Sequence, residues 1–192
     1  GRTTRNIERC IYRTVIFIDC CFSCLLRVLG PILVVAANGL VGLVTWVYLT
    51  QLWPRYLKPR CGPIGGGAVV CIGLYLLFNI LWNYWCCVLT RPGFPGHHQQ
   101  ALEDLEQGER PSTAGRVRFC KKCHVPKPER VHHCSVCNRC VMKMDHHCPW
   151  VNNCVGCSTC RFFVRLVLHL AAGCVRGAAT CVLALFRGGI NK

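Results

Sequence analysis

Residues 120–154 read CKKCHVPKPERVHHCSVCNRCVMKMDHHCPWVNNC, and this stretch decides the fold of the polar part of the chain. Cysteines recur in it as pairs separated by two residues, with histidines between the pairs. Such pairs suit zinc because a two-residue turn directs both sulfurs at one ion. The candidate cysteine ligands are Cys120, Cys123, Cys134, Cys137, Cys140 and Cys154. With two of the histidines they supply eight ligands, which is enough for two closed tetrahedral sites.

Cys148 is left over once those ligands are assigned, and Asp145, His146 and His147 directly precede it. These are the neighbours that a nucleophilic thiol needs, because a histidine can take the thiol proton and a carboxylate can fix the imidazole tautomer. The spacing alone leaves a second interpretation open, in which Cys148 is a ninth ligand or an ordinary buried thiol.

Two long apolar segments precede this block. Residues 28–54 and residues 61–90 contain no Lys, Arg, Asp or Glu. Each exceeds the roughly 20 apolar residues that cross a bilayer, so we predict two transmembrane helices. Residues 162–186 form a weaker third candidate, because they include Arg176 near the middle, where a charge costs roughly 2.5–3.5 kcal/mol on the insertion scale.

The rest of the chain is polar or basic. Residues 1–27 are predicted to be a basic cytosolic N-terminal segment, and residues 187–192 a short tail. Residues 91–161 are predicted to be a cytosolic loop whose zinc-binding core covers residues 118–161. The expected fold is therefore an α-helical integral membrane protein with a small cysteine-rich domain of turns and short hairpins.

The composition supports this organisation and limits the possible partners. Of the 192 residues 52% are hydrophobic, more than a small globular core can bury. The net charge of +15 indicates an anionic partner, and the two uncharged helices argue for a lipid surface rather than nucleic acid.

The positive-inside rule places residues 1–27 and 91–161 in the cytosol, although the basic connection 55–60 then lies on the outer side, against that rule.

Three motifs fill almost every position of a known pattern: CKKC at 120–123, KPERVHHCSVCNRC at 127–140 and MDHHCPWVNNCVG at 144–156. Together they resemble the cysteine-rich domain of the DHHC protein S-acyltransferases, or palmitoyltransferases. The sequence TRPG at 90–93 resembles the Asp-Pro-Gly element that follows the second helix in this family, with Arg91 in place of Asp.

The resemblance implies a role for each residue of the pattern. One structural Zn²⁺ would be held by Cys120, Cys123, His133 and Cys140, and the other by Cys134, Cys137, His147 and Cys154. Cys148 would attack palmitoyl-CoA or another long-chain acyl-CoA, with His146 as general base and Asp145 orienting it. The acyl group would then pass to a cytosol-facing cysteine of a membrane-associated protein. Candidate contacts of the CoA phosphates are Lys121, Lys122, Arg130 and Lys143.

The resemblance also implies a location in the Golgi, the endoplasmic reticulum or the plasma membrane, with the active site facing the cytosol, and it allows a homo- or hetero-oligomer.

Some features depart from the family pattern: Thr159 replaces a usual asparagine, Cys157 and Cys160 are additional thiols, and a fourth helix is not found. The alternative function is therefore a catalytically incompetent, truncated member that acts as a binding or dimerisation partner.

Overall fold

The computed structural model describes residues 2–94, 118–127 and 130–188. Helix α1 spans Arg2–Val47, a π-helical segment, π1, spans Tyr48–Leu57, and α2 spans Lys58–Leu89. Six short strands follow: β1 (Arg118–Phe119), β2 (Pro126–Lys127), β3 (Val131–Cys134), β4 (Arg139–Met142), β5 (His146–Cys148) and β6 (Asn153–Val155). Helix α3 spans Cys160–Gly188. Residues 95–117 of the predicted loop and residues 189–192 of the predicted tail lie outside the described residues.

The chain divides into two compact units. The cysteine-rich unit comprises Gly1–Val34 and Thr90–Cys160. The helical unit comprises Val35–Leu89 and Arg161–Lys192.

Helix α1 begins at Arg2 and continues without interruption through residue 28, where the sequence pattern placed the start of the first transmembrane helix. Neither glycine nor proline occurs between Arg2 and Gly30, so nothing in this stretch disfavours a helix. Pro31 lies inside the helix as well. The predicted N-terminal segment is therefore helical.

The connection between α1 and α2 is also helical. In π1 the backbone N–H of Lys58 donates to the carbonyl of Trp53, which is the i to i−5 bond of a π-helix. The helical path is broken at Gly62, whose φ is 59°.

Three helical stretches in the described part of the chain are long and apolar enough to cross a membrane: Thr4–Leu57, Ile64–Leu89 and Cys160–Leu183. They overlap the three apolar segments expected from the sequence, although the first begins at Thr4 and not at residue 28. Each of them buries only a small share of its most apolar residues, as lipid-facing helices do.

The charge of Arg176 is accommodated within the helical unit. Its Nη2 donates to the Tyr48 hydroxyl at 3.1 Å and to the backbone carbonyl of Val69. The guanidinium carbon lies 5.8 Å from the centroid of the Tyr48 ring, within the range of a cation–π contact. These contacts offset part of the cost of a charge near the middle of α3.

Three two-stranded antiparallel hairpins build the rest of the cysteine-rich unit: β1–β2, β3–β4 and β5–β6. The register pairs His133 with Cys140 across β3–β4 and His147 with Cys154 across β5–β6. Each of these two hairpins thus places a histidine directly opposite a cysteine of the same predicted ligand set.

The hydrophobic core of these hairpins is small. One buried cluster consists of Cys134, Val136, Val141 and Cys154, and the other of Cys120, Val131 and Cys140. Four of these seven residues are themselves predicted ligands. With so small an apolar core, metal binding would add much of the stability of this unit, as in other small metal-binding domains.

Candidate metal centres and active site

The first predicted ligand set converges between hairpins β1–β2 and β3–β4. Cys120, Cys123, His133 and Cys140 have their ligand atoms within 4.8 Å of one another. The Nδ1 atom of His133 lies 3.1 Å from the sulfur of Cys123, 3.6 Å from that of Cys120 and 4.0 Å from that of Cys140. Three sulfurs therefore surround one imidazole nitrogen.

The second set converges in the same way between hairpins β3–β4 and β5–β6. It consists of Cys134, Cys137, His147 and Cys154. The Nδ1 atom of His147 lies 3.4, 3.6 and 3.7 Å from the sulfurs of Cys137, Cys154 and Cys134. The backbone N–H of Cys137 also donates to the sulfur of Cys134 at 3.3 Å, a bond that favours the thiolate form of a ligand.

These distances fit tetrahedral zinc. Zn–S bonds of about 2.3 Å and Zn–N bonds of about 2.0 Å require N···S edges of about 3.6 Å and S···S edges of about 3.8 Å. The N···S distances of 3.1–4.0 Å bracket that value, and the sulfurs of Cys137 and Cys154 lie 3.6 Å apart. The structure thus groups all eight predicted ligands into the two expected sets, with a donor chemistry that suits zinc.

The pKa values of the ligands show how the protons are distributed without an ion. Hydrogen bonds from Cys137 and Cys154 hold the pKa of Cys134 well below its usual range. The bond to the Cys134 sulfur raises the pKa of His147 to about 9. Burial raises the pKa of Cys140 to about 12. A metal ion that binds here must therefore displace protons from its ligands.

Strand β5 presents two kinds of residue on its two faces. Successive side chains of a strand point to opposite sides. His147 points into the second metal cluster, so His146 and Cys148 share the other face of the hairpin. One three-residue strand thus separates a metal ligand from the predicted base and nucleophile.

Asp145 and His146 form a close pair. Their Oδ2 and Nδ1 atoms lie 3.2 Å apart, and the side chains of His146 and Asp145 are 45% and 74% exposed, respectively. A contact so exposed contributes little to stability. A carboxylate that accepts from Nδ1–H leaves Nε2 as the nitrogen that can accept another proton.

Cys148 is buried, with 7% of its surface exposed. It belongs to neither group of metal ligands found in residues 2–94, 118–127 and 130–188. The additional thiols Cys157 and Cys160 also lie outside both groups, and both are exposed. Each ligand set has four members without Cys148, so the interpretation of Cys148 as a ninth ligand has no geometric support.

Residues 90–93, the TRPG element, brace the β5–β6 hairpin. The side-chain amide of Asn153 donates to the carbonyl of Thr90 at 2.8 Å. The backbone at Gly156 packs against Pro92: a Cβ added at Gly156 would lie 2.7 Å from the carbonyl oxygen of Pro92. This position therefore has no room for a side chain. The resemblance at 90–93 was a signal for this element, but residue spacing alone did not indicate the contacts.

Thr159 is fully buried and joins the end of the hairpin to the start of α3. Its hydroxyl accepts from the N–H of Gly156 at 2.9 Å and donates to the carbonyl of Cys154 at 2.8 Å. In the sequence Thr159 stands out only as a departure from the family pattern. The structure shows that a threonine fills the position with both hydrogen bonds made.

Replacing Thr159 by valine is expected to destabilise the metal-loaded cysteine-rich unit by about 1–3 kcal/mol, because an isosteric methyl removes two buried hydrogen bonds to the backbone. The measurement is the temperature at which a chromophoric chelator detects zinc release. The control is Thr14→Val, because Thr14 is exposed and bonds only a helical carbonyl. If the Thr159→Val protein releases its zinc at the same temperature as the wild type, Thr159 does not have this role.

The predicted phosphate contacts are not all in one place. A cleft of about 450 Å³ is lined by Asp19, Phe119, Cys120, Lys121, Lys122, Lys127, His133 and Ser135. Lys121 and Lys122 therefore lie together, and Lys127 joins them. Arg130 and Lys143 are exposed turn residues with φ of 63° and 45° and do not line this cleft.

Comparison with known proteins gives a consistent match. Residues 114–190 match the family model described as DHHC palmitoyltransferase. Probable protein S-acyltransferase 14 of Arabidopsis thaliana is 36% identical over 125 residues, which cover 57% of this chain and 41% of the relative. Palmitoyltransferase ZDHHC20 of Mus musculus is 34% identical over 183 residues, covering 83% of this chain and 48% of the relative. The chain spans less than half the length of these curated relatives.

Proposed function

Since residues 114–190 make this chain a member of the DHHC palmitoyltransferase family, we propose that it transfers a long-chain acyl group from acyl-CoA to cysteines of membrane-associated proteins. One observation carries the proposal. Cys148 is left out of both four-ligand groups and shares a face of β5 with His146, whose Nδ1 lies 3.2 Å from Asp145.

The first half-reaction loads the enzyme. His146 takes the thiol proton of Cys148 at Nε2 while Asp145 holds the Nδ1 proton in place. The Cys148 thiolate attacks the carbonyl carbon of the acyl-CoA thioester, the bond to the CoA sulfur breaks, and CoA leaves as a thiol with the proton returned by His146. Palmitoyl-CoA is the donor that the relatives' names favour.

The second half-reaction returns the enzyme to its starting state. The thiol of a substrate cysteine loses its proton to His146 and attacks the acyl carbonyl. The new thioester forms as the bond to Cys148 breaks, and the proton goes back to the Cys148 sulfur. Such a cycle gives ping-pong kinetics.

The two metal clusters are proposed to be structural zinc sites. When bound, the ions would cross-link the hairpins. Each has four protein ligands and therefore no open position for a substrate. The protons of both half-reactions are taken up and returned by side chains of the chain itself.

The basic residues and the helices give the proposed setting. Lys121 and Lys122, in the cleft beside the first cluster, are proposed to contact the CoA phosphates. The basic balance of the cysteine-rich unit supports a cytosolic position for it. The family resemblance implies the Golgi, the endoplasmic reticulum or the plasma membrane. The partners are protein substrates with cytosolic cysteines. The intact ligand sets and the Asp145–His146 pair favour this enzyme over the incompetent alternative.

The test is a transfer experiment with the full chain in detergent. Labelled palmitoyl-CoA should give a label on the protein that neutral hydroxylamine removes. Adding a lipidated peptide with one cysteine should move that label to the peptide, whereas the same peptide with serine should leave it on the protein. The absence of label on folded, zinc-loaded protein would contradict the proposed function.

A further inference from the structure

One face of helix α1 lies against the metal-binding hairpins inside the cysteine-rich unit. The face is formed by Ser23, Leu26, Arg27 and Gly30, which follow the i, i+3, i+4, i+7 spacing of a single helical stripe. The Ser23 hydroxyl bonds the Ser135 hydroxyl at 3.0 Å, and Leu26 packs on the cluster that contains Cys134 and Cys154. This stripe makes two further contacts that concern the proposed active site.

Arg27 binds the turn between two metal ligands. Its Nη2 donates to the carbonyl of Ser135 at 2.8 Å, and its Nε donates to the carbonyl of Val136. These two carbonyls lie between Cys134 and Cys137 of the second cluster. The fixed fork of a guanidinium suits two adjacent carbonyls, so this basic residue binds the protein backbone through Nε and Nη2.

Gly30 leaves room for the turn that follows Cys148. A Cβ at this position would lie 2.1 Å from Oδ1 and 3.1 Å from Cβ of Asn152. Rotating the Asn152 side chain relieves the first contact but not the second, because Cβ is fixed to the backbone. Asn152 belongs to the β5–β6 turn, where its N–H donates to the carbonyl of Pro149 at 3.2 Å and its φ is 48°.

We propose that Arg27 and Gly30 are positioning residues for the reaction at Cys148. Arg27 fastens the second metal cluster to α1, and Gly30, one helical turn further along, lets the turn after Cys148 lie directly on the same helix. Strand β5, with His146 and Cys148, is thereby held from both sides. The inference rests on the proposed role of Cys148 as the acyl-carrying nucleophile.

The test begins with Gly30→Ala in the full chain. Alanine is the better helix former, so any loss reports the clash with Asn152 and not a weaker helix. Displacing the turn by about an ångström or less is expected to slow acyl loading about ten- to a hundredfold. The KM for palmitoyl-CoA should change less than about twofold, and both zinc ions should remain. The control is Gly42→Ala on the same helix. Apart from neighbouring backbone of that helix, a Cβ added there has no atom of the described residues within 4 Å, so this variant should load like wild type.

A double substitution identifies the cause. Asn152→Gly removes the Cβ that an alanine at position 30 would meet, and the positive φ of residue 152 suits glycine. In the Asn152→Gly background, Gly30→Ala should therefore change the loading rate less than about twofold. Arg27→Ala should slow loading at least about tenfold and speed amide exchange at residues 135–138 while zinc is retained.

Three results would overturn the inference: wild-type loading by Gly30→Ala, an equal defect from Gly30→Ala with and without Asn152→Gly, or zinc loss in either single variant. These results are separate from a failure of the proposed function. If the wild-type protein takes up no hydroxylamine-sensitive label, or Cys148→Ser keeps it, the nucleophile assignment fails whatever the Gly30 variants do.

Discussion

Cys148→Ser is expected to reduce hydroxylamine-sensitive acyl loading by about 10⁴-fold or more, to below detection, with two zinc ions still bound. A serine hydroxyl ionises far less readily than a thiol, and losing the nucleophile removes the covalent route altogether. Zinc should remain because Cys148 lies outside both groups of four ligands. The measurement is label per chain after incubation with palmitoyl-CoA, beside zinc content by atomic emission.

The matched control is Cys157→Ser, since Cys157 is an exposed thiol of the same cysteine-rich unit and also lies outside both ligand groups. It should load like wild type. If Cys148→Ser loses zinc instead, Cys148 is a ligand and the ninth-ligand interpretation is right. If it keeps its label and its zinc, the nucleophile is another cysteine.

Cys134→Ser is expected to lower the zinc content from two ions to one or none and to unfold the cysteine-rich unit. Cys134 is both a ligand of the second set and a member of the buried core, with 3% of its surface exposed. Structural zinc contributes roughly 10 kcal/mol or more to the folding of small domains, and this unit has little apolar core to replace it. Acyl loading should be lost as a consequence.

The control for this substitution is Cys87→Ser, because Cys87 is as deeply buried but belongs to the helical unit and to neither group of metal ligands. It should keep both ions, so a loss of zinc in Cys134→Ser reports ligation and not the general cost of burying a hydroxyl. Zinc content and protease resistance of the cysteine-rich unit are the measurements. Two ions retained in a folded Cys134→Ser protein would show that the ligand set is wrong.

The ligand sets could be predicted because they depend on short-range order. The members of a pair such as Cys120 and Cys123 are separated by two residues, and the tight turn between them directs both sulfurs toward the same ion. Spacing limited the number of sites to two, and the family resemblance divided the residues between them. The apolar segments were equally predictable, because a span needs only length and the absence of charge.

Other parts of the site depend on contacts between residues far apart in the sequence. In the sequence Arg27 is one more basic residue near a membrane segment. Its binding to the carbonyls of Ser135 and Val136 is visible only in the structure, where α1 packs on that turn. Thr159 similarly reads as a departure from a pattern until its two hydrogen bonds are seen. Neither role has a local sequence signal, because each depends on which backbone groups the fold brings near the side chain.

Locating the acyl group tests whether Cys148 carries it while eight other residues hold metal. Trypsin should release residues 144–161, which contain Cys148 together with Cys154, Cys157 and Cys160. Fragmentation of this peptide after brief incubation with palmitoyl-CoA should place the acyl group on Cys148 and leave the other three cysteines unmodified. An acyl group on Cys157 or Cys160, with Cys148 unmodified, would contradict the account.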